Sequence, residues 1–121
     1  MVKGLKVLVT GGAGFIASNL ILRLKAEGAS VRASLHEKPL QISADGIETI
    51  HADLRDLEAC REAVAGVDYV FHCAANTSGA AVMATTPLVH VTPNVGMNAH
   101  LLEAAYEADV KKFVFISSGA A

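Results

Sequence analysis

Leu5-Lys6-Val7-Leu8-Val9-Thr10-Gly11-Gly12-Ala13-Gly14-Phe15-Ile16-Ala17 is the stretch that decides the fold. A short aliphatic and β-branched run that stops abruptly at glycines fits a strand buried on both faces of a parallel sheet. From 15 to 27, apolar Ile16, Leu20, Leu22, Leu24 and Ala26 interleave with polar Ser18, Asn19, Arg23, Lys25 and Glu27. That spacing predicts a helix, with Gly28 as its stop.

Working outward, the same alternation repeats. Residues 30–35 read as a second strand, 36–46 as a loop carrying Pro39 and Gly46, and 47–51 as a short third strand. Residues 56–65 fit a helix with Asp56 near its start and Gly66 at its end. Residues 68–75 form a fourth strand, 76–93 one long connection, 94–109 the longest helix, and 112–117 a fifth strand. Strands alternating with helices imply parallel pairing, right-handed crossovers and helices on both sheet faces. The expected fold is α/β: a Rossmann-like doubly wound parallel sheet of strand order 3-2-1-4-5, truncated after the fifth strand. Its crevice should lie at the carboxyl ends of strands one and four, where the winding reverses. The sequence places 11–14 and 72–79 there.

Composition bounds the rest. The chain has 121 residues, 52% of them apolar and 18% charged, with a formal charge of -2. That is one domain's worth of chain with enough apolar surface to fold. A binder that neutralises nucleic-acid phosphates would show a basic excess, which is missing, so no nucleic-acid partner is expected. No apolar run reaches the ~18 residues of a membrane span, and Thr10-Gly11-Gly12 interrupts any signal-peptide reading. A cytoplasmic location without membrane contact is expected. Cys60 and Cys73 read as buried apolar residues, and the histidines lack metal-ligand spacing, so no metal site is expected.

The glycine turn carries the chemistry. The chain must reverse sharply here, and glycine tolerates the positive φ such a turn requires, while Gly14, lacking a side chain, lets backbone approach an anion. Free N–H groups at the start of the helix add the positive end of its dipole. Between a strand and a helix this pattern reads as a dinucleotide pyrophosphate site. A Walker-type loop is excluded because no Lys-Ser or Lys-Thr follows the glycines.

At this point the sequence resembles the extended short-chain dehydrogenase/reductase family, the NAD-dependent epimerase/dehydratases. The resemblance rests on TGGAGFIA at 10–17, HADLRD at 51–56, VFHCAAN at 70–76, NVGMNAHLLEAA at 94–105 and KKFVFISS at 111–118. It implies that Phe15 and Ile16 lie at the pyrophosphate, that Asp53 and Leu54 flank the adenine, and that Ala74 and Ala75 pass under the nicotinamide ribose. It also implies that Asn94 approaches the cofactor. From the residues alone, Asp53 reads equally as a turn carboxylate, and Asn94 equally as a helix cap. His72, inside an apolar strand, reads as a satisfied core histidine rather than a catalyst.

NAD-selective sites place an acid at the end of the second strand, ~20 residues after the glycines. Ser34 or Leu35 stands there, no carboxylate appears until Glu37, and His36 and Lys38 lie on either side of it; read alone, His36-Glu37-Lys38 is equally a solvated loop. The cofactor is therefore NADP or NAD, with NADP favoured, because nothing at that position repels a 2′-phosphate and two basic groups can bind it.

Members of this family use a Tyr-x-x-x-Lys pair. Four residues beyond Tyr69 and Tyr106 stand Cys73 and Val110, so no such pair occurs. The expectation is an amino-terminal cofactor-binding portion of a larger enzyme, inactive alone, whose substrate domain lies outside the given chain. Such a piece should be poorly soluble or pair with another copy through its bare sheet edge. Ser118, then Ser117, are the candidates for holding the substrate oxygen. The run Ala74-Ala75-Asn76-Thr77-Ser78-Gly79, with Met97-Asn98 in the long helix, looks most like the GDP-sugar epimerases and reductases. That nominates Ser78 and Gly79 as sugar-proximal and a GDP-sugar as substrate. Two other classes remain: a non-catalytic NADP-sensing protein, and a reductase of small non-sugar carbonyls. The long helix also resembles the one that packs across family dimers, so a homodimer is a further expectation.

Overall fold

A computed structural model describes residues 2–74 and 88–116, with 88–94 described by backbone alone. The described residues form five strands: β1 Lys6–Thr10, β2 Ser30–Leu35, β3 Ile47–His51, β4 Tyr69–His72 and β5 Lys112–Phe115. They also form three helices: α1 Phe15–Ala26, α2 Leu57–Val64 and α3 Leu88–Glu107. All pairings are parallel and the order is β3-β2-β1-β4-β5, as the sequence predicts.

Alternation along each strand splits the core between the two faces. Val7, Val9, Val31, Ala33 and Ile47 pack on one side with Ala17, Ile21 and Leu24 of α1. Leu8 and Val70 pack on the other with Cys60, Ala63 and Val64 of α2 and Leu101, Ala104 and Ala105 of α3. Ala17 is 1% exposed, so α1 can press close to the sheet directly after the glycine turn. The two thiols divide in the same way. Cys60 is buried under α2 and Cys73 is half-buried on the α1 face; both are free, and burial pushes each up to about 11.

Helix α2 starts where the sequence puts its cap. The Asp56 carboxylate accepts from the Glu58 N–H at 3.2 Å. Helix α3 corrects the sequence reading, because it begins at Leu88 rather than 94 and contains Pro93. A proline is a natural first-turn residue, which makes 94 look like the start. Here the helix instead forgoes one ladder hydrogen bond at Pro93. Asn94 therefore lies within the helix and is not its cap.

One buried charge spans three strands. Arg32, 8% exposed in the middle of β2, donates from Nη1 to the carbonyls of Ala63 at 2.7 Å and Ala65 at 2.9 Å, at the C-terminal end of α2. Its Nε lies 3.1 Å from Glu48 Oε2 on β3, an ion pair whose angle leaves that N–H without a hydrogen bond. Glu48 also meets Lys6 Nζ of β1 at 3.0 Å.

Candidate functional site

The glycine turn is shaped by what touches it. The Gly12 N–H donates to Ser34 O at 2.8 Å and the Gly14 N–H to Gly11 O at 2.9 Å, which pins the turn against the end of β2. Gly11 has φ +67, and a Cβ there would come within 2.8 Å of the Ala74 Cα. A Cβ on Gly12 would come within 3.0 Å of Ala33 Cβ. Gly14 precedes α1 in extended conformation and makes no side-chain cap. The first intrahelical bond runs from Ser18 N to Gly14 O. The N–H groups of Phe15, Ile16 and Ala17 thus have no intrahelical acceptor, as at any helix start. A bare turn below free donors is a cradle that suits a diphosphate, and it is the feature of this chain that fits a dinucleotide cofactor.

A cleft of about 610 Å³ opens from this turn across the carboxyl ends of the strands. Gly11, Ala13 and Gly14 form one wall. The end of β2 contributes Ser34 through Lys38, the segment after β3 Ala52 through Arg55, the segment after β4 Cys73 and Ala74, and α3 Met97. Of the candidates nominated from sequence, Gly11, Gly14, His36, Lys38, Asp53, Leu54 and Ala74 all line this cleft. Leu54 is at the same time a core residue, 4% exposed. Phe15 and Ile16 do not line it: their side chains are 84% and 57% exposed, so only their N–H groups face the turn's task. The Asn94 side chain and residues Ala75, Ser78, Gly79, Ser117 and Ser118 lie outside what is described.

Asp53 does not stand free. Its carboxylate accepts from Arg55 Nη2 at 2.6 Å and Nε at 2.9 Å, and from the Arg55 N–H at 3.0 Å. His36 Nε2 is 3.7 Å away. The Arg55 guanidinium beside it holds the Asp53 carboxyl well below the usual range, at about 2. Asp53 is therefore a carboxylate at any physiological pH, largely neutralised by its partner. The Arg55 carbonyl in turn accepts from His100 Nδ1 of α3 at 2.7 Å.

Sequence reasoning quoted Thr10, Gly12, Arg55 and Asn98 within its motifs but gave none of them the contacts found here. Thr10, fully buried, accepts at Oγ1 from the Cys73 N–H at 2.9 Å and the Ala74 N–H at 3.0 Å. It also lies 2.7 Å from His72 Nδ1, and His72 Nε2 lies 2.6 Å from Asn98 Oδ1. The signal for Thr10 is its place as the last residue of the strand before the turn. Arg55 could be read from its position two residues after an Asx-turn aspartate. Nothing local marks Asn98 as a partner of His72.

His72 is 2% exposed with both ring nitrogens engaged, the satisfied core histidine of the sequence reading. Burial pulls its pKa down, against a smaller opposing effect of Asn98. The unfolded chain, with an ordinary histidine near ~6.5, binds a proton that the folded ring resists. Stability is then full above about pH 6.5 and declines as pH falls toward the lowered folded value. Urea midpoints taken from pH 7.5 to 5 should fall, and a His72→Gln variant should flatten that part of the slope.

Comparison with known proteins places the chain. Residues 7–121 match the model of the NAD dependent epimerase/dehydratase family. A 3 beta-hydroxysteroid dehydrogenase/Delta 5-->4-isomerase of Mycobacterium tuberculosis is 37% identical over 116 residues, covering 93% of this chain and 31% of that protein. A GDP-mannose 3,5-epimerase of Arabidopsis thaliana is 36% identical over 118 residues, covering 96% and 31%. The chain thus spans about a third of the length of these relatives. Among solved structures, a Thermus thermophilus UDP-glucose 4-epimerase in complex with NAD superposes with a TM-score of 0.83 at 35% identity, covering 94% of this chain and 38% of that one. With this sheet order, this glycine turn and these relatives, the chain belongs to the NAD dependent epimerase/dehydratase family.

Proposed function

We propose that these residues are the NAD(P)-binding portion of a nucleotide-sugar epimerase, dehydratase or reductase whose substrate-binding residues lie largely outside this stretch. The observation that carries the reading is the glycine turn opening into a cleft at the winding reversal. Bound there, a nicotinamide dinucleotide would supply hydride transfer. The chain's own part is to hold it. The first-turn N–H groups of α1 take the diphosphate, Asp53 and Leu54 border the base, and Ala74 lies along the far end. Ser118 or Ser117, and Ser78 with Gly79, remain the candidates for the substrate side. Titration of the protein with NADH and NADPH, followed by nicotinamide fluorescence, tests the reading. Saturable uptake of at least one is expected, and a folded sample that takes up neither refutes it.

NADP is the preferred form in this proposal. Leu35 stands where an acid would repel the 2′-phosphate, and exposed His36 and Lys38 lie at the same mouth of the cleft. Lys38→Glu, an exposed change, should weaken NADPH by about 5–10-fold and leave NADH within about twofold, a charge-pair effect of ~1 kcal/mol. Leu35→Asp should shift the affinity ratio toward NADH. Ratios unchanged in both variants would refute the preference.

A GDP-sugar is the favoured substrate, supported by the 74–79 run and the epimerase relative. The near-equal likeness to a hydroxysteroid dehydrogenase favours, as a second reading, a reductase of non-sugar carbonyls. Turnover of GDP-sugars against simple ketones separates the two. A homodimer belongs to the same proposal. Val95, Leu102 and Tyr106 leave an apolar stripe exposed along α3, at 62%, 55% and 84%. Such a stripe is usually covered. A Leu102→Glu/Tyr106→Glu double variant should sediment as a monomer.

A further inference from the structure

The ends of β1 and β4 are joined by side chains, not only by the ladder. Thr10 pairs with His72 in register, so both project toward the α3 face. The Thr10 hydroxyl has one proton and two lone pairs. Both lone pairs are taken by the Cys73 and Ala74 N–H groups, so the hydroxyl proton must go to His72 Nδ1. The ring proton is then on Nε2, where it donates to Asn98 Oδ1. The opposite tautomer would leave the hydroxyl proton without an acceptor among the described residues. It would also set two acceptors, Nε2 and Oδ1, against each other at 2.6 Å. Phe113 and Phe115 of β5 flank the ring at 6.1 and 5.6 Å, and no described salt bridge reaches it.

The two N–H groups at the end of this chain belong to residues that line the cleft. Ala74 is also the residue against which Gly11 packs, too closely for any Cβ. We infer that Asn98 is a positioning residue for the cleft floor: by holding the His72 proton on Nε2 it commits the Thr10 hydroxyl to the Cys73 and Ala74 N–H groups, and so fixes the backbone under a bound ligand. Asn98 makes no described hydrogen bond to a residue lining the cleft and acts through His72. Only the last link, to a bound ligand, rests on the cofactor reading.

The test follows the ring, the floor and the ligand separately. In protein labelled with 15N histidine, with His72 assigned by its loss in His72→Gln, the ring should show the Nε2–H tautomer at pH 7. Thr10→Ser should retain it. Thr10→Val and Asn98→Leu should release it, and amide exchange at Cys73 and Ala74 should quicken by about tenfold or more while β3 stays unchanged. Asn98→Asp, an isosteric change, places a carboxylate on Nε2 and should raise the ring's titration toward neutral pH. A protonated ring then offers Thr10 a third donor, so the Cys73 and Ala74 amides should shift with the same midpoint. An Nδ1–H tautomer in the native protein overturns the inference, as do Cys73 and Ala74 amides that ignore the ring's state. For the ligand link, NADPH and NADH are titrated into Asn98→Leu, and a 5–10-fold weaker uptake is expected. Unchanged uptake alongside a released tautomer refutes that link. If the native protein takes up neither nucleotide the cofactor reading fails, while ring and amide data still decide the relay.

Discussion

Replacing Gly11 with alanine should cost about 3–4 kcal/mol of stability and abolish measurable nucleotide uptake. Two independent terms make up that figure. Gly11 sits at φ +67, and an L-residue in that region pays ~1–2 kcal/mol. The new Cβ would also fall 2.8 Å from the Ala74 Cα and 3.0 Å from its N. Those are backbone atoms, so no rotamer change relieves the overlap, and overpacking of this kind adds ~1–3 kcal/mol. Gly66 isolates the first, and the difference between the two variants gives the second. Gly66 has φ +74 with nothing within 4 Å of a built Cβ, so Gly66→Ala should pay only the backbone cost of ~1–2 kcal/mol. Urea unfolding of both variants at constant m measures the difference. Relief of the overlap requires Ala74 to retreat, which pulls its N–H from Thr10 and widens the cleft at the turn. The loss of uptake should therefore exceed what the loss of folded protein explains. Equal destabilisation at 11 and 66 would mean that the close approach of the two segments carries no energy.

How far the sequence reaches depends on whether a property is written in neighbours or in contacts. Strand–glycine–helix succession is local, and β-strands bounded by Gly28, Gly46 and Gly66 leave little choice of order, so the sheet topology was readable. The place of the cleft was readable for the same reason, because the winding reversal puts all strand ends on one rim. Helix α3 shows the limit. Its start hides behind Pro93, since a proline marks a first turn in most helices and only the fold shows that the ladder runs past it. Thr10, Asn98 and Arg32 mark a deeper limit. Each acts on groups 26 to 64 residues away along the chain, and nothing adjacent in sequence names those partners. Asp53 was seen as a carboxylate facing the cleft, yet its electrostatics are set by Arg55, whose carbonyl is held by His100 on a distant helix.

Arg32→Met should cost about 2–4 kcal/mol, the most severe loss expected from a change remote from the cleft. Methionine fills a similar volume, so cavity formation is not the cause. The loss lies in the carbonyls at the end of α2: Ala63 and Ala65 each lose a charged donor, and a hydrogen bond from a charged group contributes ~1.5–3 kcal/mol. The positive charge also faces the negative end of the α2 dipole, a further stabilisation of up to ~2 kcal/mol in buried geometry. Offsetting these is the desolvation of a guanidinium that is 8% exposed, which methionine does not suffer, so the net falls below the sum. Glu48 limits the damage further, because it is half exposed and keeps Lys6 at 3.0 Å. Arg32→Lys should recover less than half of the stability, since one ammonium cannot span the Ala63 and Ala65 carbonyls and Glu48 together. Thermal or urea unfolding decides it. A methionine variant as stable as the native protein would show that burying the charge costs as much as its contacts return, and that α2 needs no cap from the sheet.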